Sequence, residues 1–341
     1  MKKKNVLVTG GCGYIGSHCL VKLMEQGYSP VVLDDLSNSC IEVLERVKEI
    51  TGEKPIFYFG DILNSELLDE IFSQNNISYV IHFAGKKSVN ESQKEPIEYF
   101  SVNVGGTLTL LSAMKKAQVR KIIFSSTATV YDSSSKECLS EEDKLGPINN
   151  YGKSKLMVEE ILEQVWKSDK RWNAVILRYF NPVGAHASGL LGEDPRGVPA
   201  NIMPYISQVA IGKRDCLYVF GNDYKTRDGT GARDFIHVED LASGHIAALR
   251  LLEKESSFEV INLGTGTNLT VLELVKAFEK SNGVSVPYKI VGRRPGDTGA
   301  CYANPAKAFK VLGWRAEKNI SDMCRDTWNW QHKNPNGYRN K

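Results

Sequence analysis

The sequence predicts an α/β fold, a Rossmann-type doubly wound parallel sheet with a smaller C-terminal α/β domain. Three observations carry this. Short apolar runs alternate with helix-length amphipathic segments, the first run passes directly into a glycine-rich turn, and the rhythm changes after Asn181 to Gly- and Pro-rich stretches. Together they divide the chain into residues 1–180, with a return segment near 235–264, and residues 181–341.

Residues 5–9, 31–34, 56–59, 79–84, 121–126 and 174–180 are the strands of the first half. Each is apolar on consecutive positions rather than alternate ones, as a strand covered on both faces must be. Helical segments lie between them. Beyond Asn181, apolar periodicity places helices near 203–211, 238–252 and 270–281. The polar run 132–143 reads as a surface loop beside the site.

Composition excludes several classes of function. Forty-three Lys and Arg against 40 Asp and Glu give a net charge of +3, without basic blocks, so a nucleic-acid partner is not expected. No apolar stretch approaches the ~18 residues of a membrane helix and the first residues do not form a signal peptide, so the expected compartment is the cytoplasm. Seven cysteines without a CxxC pair read as reduced thiols, and six scattered histidines predict no metal site.

The turn Thr9-Gly10-Gly11-Cys12-Gly13-Tyr14-Ile15-Gly16 follows a strand and opens a helix. Its glycines allow backbone N–H groups to approach a pyrophosphate at the positive end of that helix. Eighteen residues after Gly16, the second strand ends in Asp34-Asp35, where a carboxylate accepts ribose hydroxyls and repels a 2′-phosphate. The pattern therefore favours NAD over NADP. Asp61 and Phe83-Ala84-Gly85 end the third and fourth strands, at the sheet edge where such folds bind ligands.

Tyr151 and Lys155 stand four residues apart at the start of the helix after strand five, so they project from one helical face. An ammonium beside a phenol stabilises the phenolate, which makes Tyr151 a candidate base. Lys153 falls on another face. Strand five ends in the hydroxyl-rich Ser125-Ser126-Thr127-Ala128-Thr129-Val130-Tyr131, from which one hydroxyl is expected to bind substrate.

The stretches TGGCGYIG, SSTATVY, YGKSK and RYFNPVGAH, with IHFAGKKSVNES, MPYISQVAIGKRD, GTGARDFIHVEDLA and RRPGDTGACYANPAKA, resemble the extended short-chain dehydrogenase/reductase family, in particular its 4-epimerase branch acting on UDP-hexoses. The resemblance covers nearly the whole chain. It implies that Tyr151 is the base, Lys155 its helper and Thr127 the substrate hydroxyl, a position where most members carry Ser. Asp35 and Asp132 also depart from the family, which usually has Asn and Gly there. The resemblance adds Tyr14, Ile15, Asn38, Ser39, Ile62, Lys87, Asn103 and Phe180 to Gly10, Gly13, Gly16, Asp34, Asp35, Asp61, Phe83, Ala84 and Gly85 as NAD contacts. It assigns Asn181, Asn201, Tyr218, Phe220, Arg233, Arg294, Asp297 and Cys301 to the UDP-hexose, so that residues 181–341 form a UDP-sugar domain.

What the resemblance implies is interconversion of UDP-glucose and UDP-galactose through a 4-keto sugar, with tightly bound NAD regenerated in each cycle. Cys301 matches a position that limits space at the hexose C2 substituent and is tyrosine in some members, so its small side chain predicts that UDP-GlcNAc and UDP-GalNAc are accepted too. A homodimer through helices near 107–117 and 158–167 is implied as well. A UDP-glucuronate 4-epimerase or a reductase is an alternative. A nucleotide-sugar 4,6-dehydratase would need Asp-Glu after Thr127, where Ala128-Thr129 stand, and a non-catalytic NAD sensor would have no use for the Tyr/Lys pair.

Overall fold

The computed structural model describes residues 3–132, 136–253, 256–294 and 296–339. Parts of three expected segments lie outside these: residues 133–135 of the polar run, 254–255 of the return segment and Pro295 of RRPGDTG.

Seven strands form one parallel sheet: β1 (Asn5–Thr9), β2 (Ser29–Asp34), β3 (Ile56–Phe59), β4 (Ile77–His82), β5 (Lys121–Thr127), β6 (Asn173–Tyr179) and β7 (Phe258–Leu263). Their order is β7-β6-β5-β4-β1-β2-β3, all neighbours parallel. The order reverses between β1 and β4, and the crevice outside the carboxyl ends at such a switch point is where open α/β sheets bind ligands. β6 is buried along its whole length, which explains its unbroken apolar run. The seventh strand is supplied by the return segment, after six in the first half.

Apolar clusters cover both faces of the sheet. Val6, Val8, Ile81 and Ile261 meet helices Tyr14–Glu25 and Val238–Leu251 on one face, and Leu7, Val31, Phe124 and Ile176 lie beneath Ser65–Asn75, Gly106–Lys116 and Asn150–Ser168 on the other. Separate clusters fill the C-terminal lobe, around Ile206, Phe235, Phe278 and Met323, and its junction with the main sheet, around Val130, Tyr131, Phe180 and Ala303.

The lobe's four-stranded sheet runs in the order Leu269–Thr270, Ala232–Arg233, Ala300–Ala303, Cys138–Leu139. Two two-stranded pairs flank it: Asn181–Val183 with Phe235–His237, and Leu217–Phe220 with Tyr288–Val291. Within the polar run 132–143, Cys138–Leu139 is therefore a strand and not loop, with Leu139 buried against Ala303. Two residues are too few for periodicity to reveal, and the pairing partner lies more than 160 residues downstream.

Candidate active site

The glycine turn is shaped by close contact. Gly10 has φ +70°, and a Cβ there would stand 2.7 Å from the Ala84 nitrogen; a Cβ on Gly16 would stand 2.4 Å from the Gly10 carbonyl oxygen. Thus Gly10 lets the turn pass over the end of β4, and Gly16 lets the helix start against the turn. Gly13 is the N-cap of Tyr14–Glu25, with no side-chain cap and no acid in the first turn. The first N–H groups of that helix are left for an anion.

At the end of β2, buried Asp34 accepts from the Cys12 N–H and the Leu36 N–H, both at 2.9 Å, and from Ser39 Oγ at 2.7 Å. Burial pushes this carboxyl above its usual range and those bonds pull it back. A glycine cradle without room for a Cβ, an uncapped helix and a fixed carboxylate 18 residues on fit a dinucleotide.

Among the other residues expected at the cofactor, several act through the chain itself. Asn103, in the π-turn Ser101–Gly105, accepts from the Lys86 N–H at 2.8 Å and donates to the Lys86 carbonyl at 3.1 Å and to Ser154 Oγ at 2.9 Å. It fixes the loop after Gly85, whose φ of +151° places a Cβ 2.8 Å from Asn103 Oδ1. Tyr14 donates to the Gly184 carbonyl at 2.7 Å, Ile15 packs in the core, and Phe83 packs against His245 with ring centroids 4.9 Å apart. Asp35 is exposed and turned onto Ser37, and Asp61 is exposed and accepts from the Leu63 N–H at 2.8 Å. Asn38 is exposed, Ile62 is buried beneath Gly106, and Phe180 lies in the junction cluster. Lys87 stands 3.4 Å from Glu193, whose carboxylate also accepts from Asn201 Nδ2 at 2.7 Å.

The helix Asn150–Ser168 carries Tyr151 and Lys155. Asn149 caps it by accepting from the Gly152 N–H at 2.8 Å, and Gly152 allows close approach to the end of β5, since a Cβ there would stand 2.6 Å from the Thr129 carbonyl oxygen. Tyr151 is partly buried and meets the Thr127 hydroxyl. Lys155 is buried, donates to the Ser125 carbonyl at 2.9 Å and lies 4.8 Å from the Phe124 ring centroid.

Burial governs both groups. The Tyr151 phenol is pushed up to about 12, with the Thr127 hydrogen bond acting against burial. Lys155 is brought down to about 8, with Glu159 acting against burial. The expected lowering of Tyr151 by Lys155 is therefore not a property of the chain by itself: the ammonium is committed to the Ser125 carbonyl, and burial outweighs what remains.

The residues expected at the substrate form three groups. Phe220, Arg294 and Asp297 meet, with the Arg294 guanidinium 4.7 Å from the Phe220 ring centroid and its Nε 2.9 Å from Asp297. Tyr218 is exposed two residues earlier on the same strand. Arg233 is paired in register with Cys301 and donates to the Ala232 and Thr298 carbonyls at 2.8 and 3.0 Å. Cys301, like Ala128 and Leu156, packs against the junction cluster of Val130, Tyr131, Leu139, Phe180 and Ala303, and burial pushes its thiol up to about 11. Asn181 extends from Phe180 and donates its N–H to the Asp234 carbonyl, while Asn201 joins Lys87 through Glu193.

Three features escape sequence reasoning. Arg196 donates to the Leu36 and Ser39 carbonyls at 2.7 and 3.1 Å, tying the second half to the loop around Asp34. His237, Glu239 and Asp326 converge with metal-ligand donors, and Lys318 supplies a cation there, 2.6 Å from Glu239 and 3.4 Å from Asp326. Arg178 and Glu159 form a buried ion pair at 2.6 Å behind Lys155. The i, i+4, i+8 spacing of Tyr151, Lys155 and Glu159 is visible in the sequence; the pairing with Arg178 is not. Among the described residues no helix is long and apolar enough to cross a membrane.

A dinucleotide turn facing a Tyr–Lys helix across the end of a parallel sheet defines a short-chain dehydrogenase/reductase of the extended type, its second lobe built onto the site. A family model described as GDP-mannose 4,6 dehydratase matches residues 7–327. A UDP-glucose 4-epimerase of Dictyostelium discoideum is 54% identical over 334 residues, covering 98% of this chain and 97% of that one. The structure of UDP-glucose 4-epimerase from Bifidobacterium longum in complex with NAD+ and UDP superposes with TM-score 0.94 at 52% identity, covering 98% of this chain and 100% of the other. That of the Stenotrophomonas maltophila enzyme with bound NAD and formylated UDP-arabinopyranose gives TM-score 0.95 at 47% identity, covering 97% and 98%. The chain belongs to the UDP-glucose 4-epimerase family.

Gly16→Ala tests the cradle. Its Cβ would meet backbone at 2.4 Å, so the turn must open. The expected outcome is a folded protein that loses NAD on dialysis, read by the absorbance of released cofactor; full retention would refute the cradle.

Proposed function

We propose that this protein is an NAD-dependent isomerase that interconverts UDP-glucose and UDP-galactose by inverting C4 of the hexose. The observation that carries this reading is the meeting of Tyr151 and Thr127 at the end of β5, facing the glycine turn across the switch point. Relatives that are 4-epimerases, one solved with NAD+ and UDP, support it.

Gly10, Gly13, Gly16, Asp34 and the free N–H groups of helix Tyr14–Glu25 would hold the dinucleotide. When bound, NAD takes up and returns the C4 hydride, and its positive ring favours a phenolate nearby. Tyr151 accepts the proton of the 4-hydroxyl and gives it back after the keto sugar has turned. Lys155, oriented by the Ser125 carbonyl, supplies the positive charge that the phenolate requires. Thr127 shares the 4-oxygen with Tyr151; its methyl group restricts χ1 but leaves the hydroxyl free to bond. Nothing at Ala128-Thr129 can act as the acid and base of a dehydratase, so the keto sugar is returned and not dehydrated.

Arg233 and Arg294 are suited to the diphosphate, since planar guanidinium groups match phosphate oxygens. Phe220 and Tyr218 offer an apolar surface to the uracil, and Asn181, Asn201 and Asp297 complete the polar contacts. Exposed Ile97, Leu108 and Met157, on or beside the helices expected at a dimer seam, support a homodimer. We place the enzyme in the cytoplasm.

Tyr151→Phe should fold and keep NAD while kcat for UDP-galactose falls by roughly 10²- to 10⁴-fold; near-parental turnover would remove Tyr151 from its role. Lys155 is protonated below about 8 and neutral above it, so kcat is expected to decline as pH rises through that value.

Cys301, packed against the junction cluster, is the small residue on which room for a larger C2 substituent would depend. UDP-GalNAc should be epimerised alongside UDP-galactose without added NAD. Cys301→Tyr should abolish the first activity and retain most of the second; parental protein active on UDP-galactose alone would sink the pocket-size reading.

A further inference from the structure

The carboxyl end of β5 is read by one helix at three successive residues. The Thr127 hydroxyl meets Tyr151, the Ser125 carbonyl accepts from Lys155, and the Ser126 hydroxyl, on the opposite face of the strand from its neighbours, donates to Glu159. Tyr151, Lys155 and Glu159 are spaced i, i+4, i+8, so they form one stripe on the helix. Glu159 is also bound by Arg178 of β6, with Nε at 3.1 and 3.2 Å and Nη2 at 2.6 Å. Glu159 and Arg178 are both buried. Arg178 in turn lies 4.8 Å from the Tyr131 ring centroid and donates to the Glu141 carbonyl at 3.2 Å.

A buried ion pair is a poor source of stability, because desolvating two charges costs about as much as their attraction returns. Its position directly behind the Tyr–Lys pair suggests a different use. We propose that Glu159 is a positioning residue for the reaction: clamped by Arg178 and Ser126, it keeps the end of β5 in register with Tyr151 and Lys155 and supplies the anion that faces the Lys155 ammonium. The assignment of the reaction itself rests on the epimerase reading.

The groups around Lys155 leave this role to Glu159. From β4, His82 is buried and neutral, held down to about 3 by burial and by Lys155 itself. β5 presents a carbonyl and the Phe124 ring, and the loop after β4 presents Gly85. β6 contributes Arg178, already paired, and the Tyr179 phenol, which burial pushes well above its usual range. On the same helix lies Tyr151, also pushed up by burial. Among the described residues, Glu159 is the anion whose field bears on Lys155, opposing the burial that drives its proton off.

The test is a titration of Lys155 by lysine Cε NMR in the NAD-bound full-length protein, with the signal assigned through Lys155→Arg. Glu159→Gln keeps one acceptor oxygen, for Ser126, while removing the charge and replacing the second oxygen with an amide donor. It should lower the Lys155 midpoint by about one unit, the scale of a single nearby charge. The alkaline limb of kcat should follow, with KM for UDP-galactose changed by no more than roughly twofold, as for an effect confined to the transition state. Should Arg178 left unpaired prevent folding, Glu159→Gln/Arg178→Gln, which leaves no buried charge without a partner, decides in its place; it too should lower the midpoint. An unmoved midpoint in either folded variant, with thermal stability or NAD retention reduced, would make the pair structural and overturn the proposal. The NMR midpoint is read whether or not the parent turns over UDP-galactose, so failure of the epimerase reading would appear separately, as an inactive parent.

Discussion

The docking of helix Asn150–Ser168 onto the carboxyl end of β5 is the contact on which the rest of the site depends. A helix presents side chains every 3.6 residues and a strand every two, so the two can be matched over only a short length. Here the match extends over Ser125, Ser126 and Thr127 against Lys155, Glu159 and Tyr151. Gly152 makes it possible by letting the helix start against Thr129, and Asn149 fixes where the helix begins. A shift of one residue in either element would separate the phenol from the threonine hydroxyl. The buried Glu159–Arg178 pair resists such a shift because either charge, once withdrawn from its partner, would lie unsolvated among apolar side chains.

Charge at the site is set by burial first and by partners second. Without a cofactor both Tyr151 and Lys155 are driven toward their neutral forms, up to about 12 and down to about 8. Each retains one polar partner acting the other way, Thr127 for the phenol and Glu159 for the ammonium. Within the epimerase reading, the positive ring of bound NAD would be what favours the phenolate. In this arrangement proton transfer is coupled to occupancy of the dinucleotide site, and a phenolate in a vacant site is disfavoured.

Much of this was legible in the sequence. Consecutive apolar residues marked the first six strands, because a parallel sheet buried on both faces leaves an unbroken run. The turn from Gly10 to Gly16 was legible because only glycine tolerates contacts of 2.4 to 2.7 Å to backbone. Tyr151 and Lys155 were legible through helical spacing. What could not be read was contact between distant segments: Cys138–Leu139 pairing with Tyr302–Ala303, Arg196 reaching the Leu36 carbonyl, Arg178 clamping Glu159. Each joins residues whose own neighbourhood in the chain is unremarkable, and no period or motif encodes the partner. Expected ligand residues such as Asn103 also turned out to do structural work, since a buried amide that satisfies Lys86 and Ser154 shapes the loop before it touches anything bound.

The same long-range pairings bear on how the two faces of C4 can be exchanged. The lobe that would carry UDP is not hinged to the sheet by a single linker: Phe235–His237 leads directly into helix Val238–Leu251 and β7 of the main sheet, and Cys138–Leu139 crosses in the other direction. Asn262 of β7, fully buried, donates its side-chain amide to the Leu139 carbonyl and its backbone N–H to Glu141, and accepts from the Tyr131 hydroxyl, at 2.7 to 2.9 Å. Opening the lobes would break these bonds and leave a buried amide unsatisfied, a change costlier than turning a sugar about its diphosphate linkage. Within the epimerase reading, then, the protein walls stay in place while the keto hexose rotates between them. On that reading the junction cluster, with Phe180 in it and Cys301 packed against it, would bound the space in which the rotation occurs.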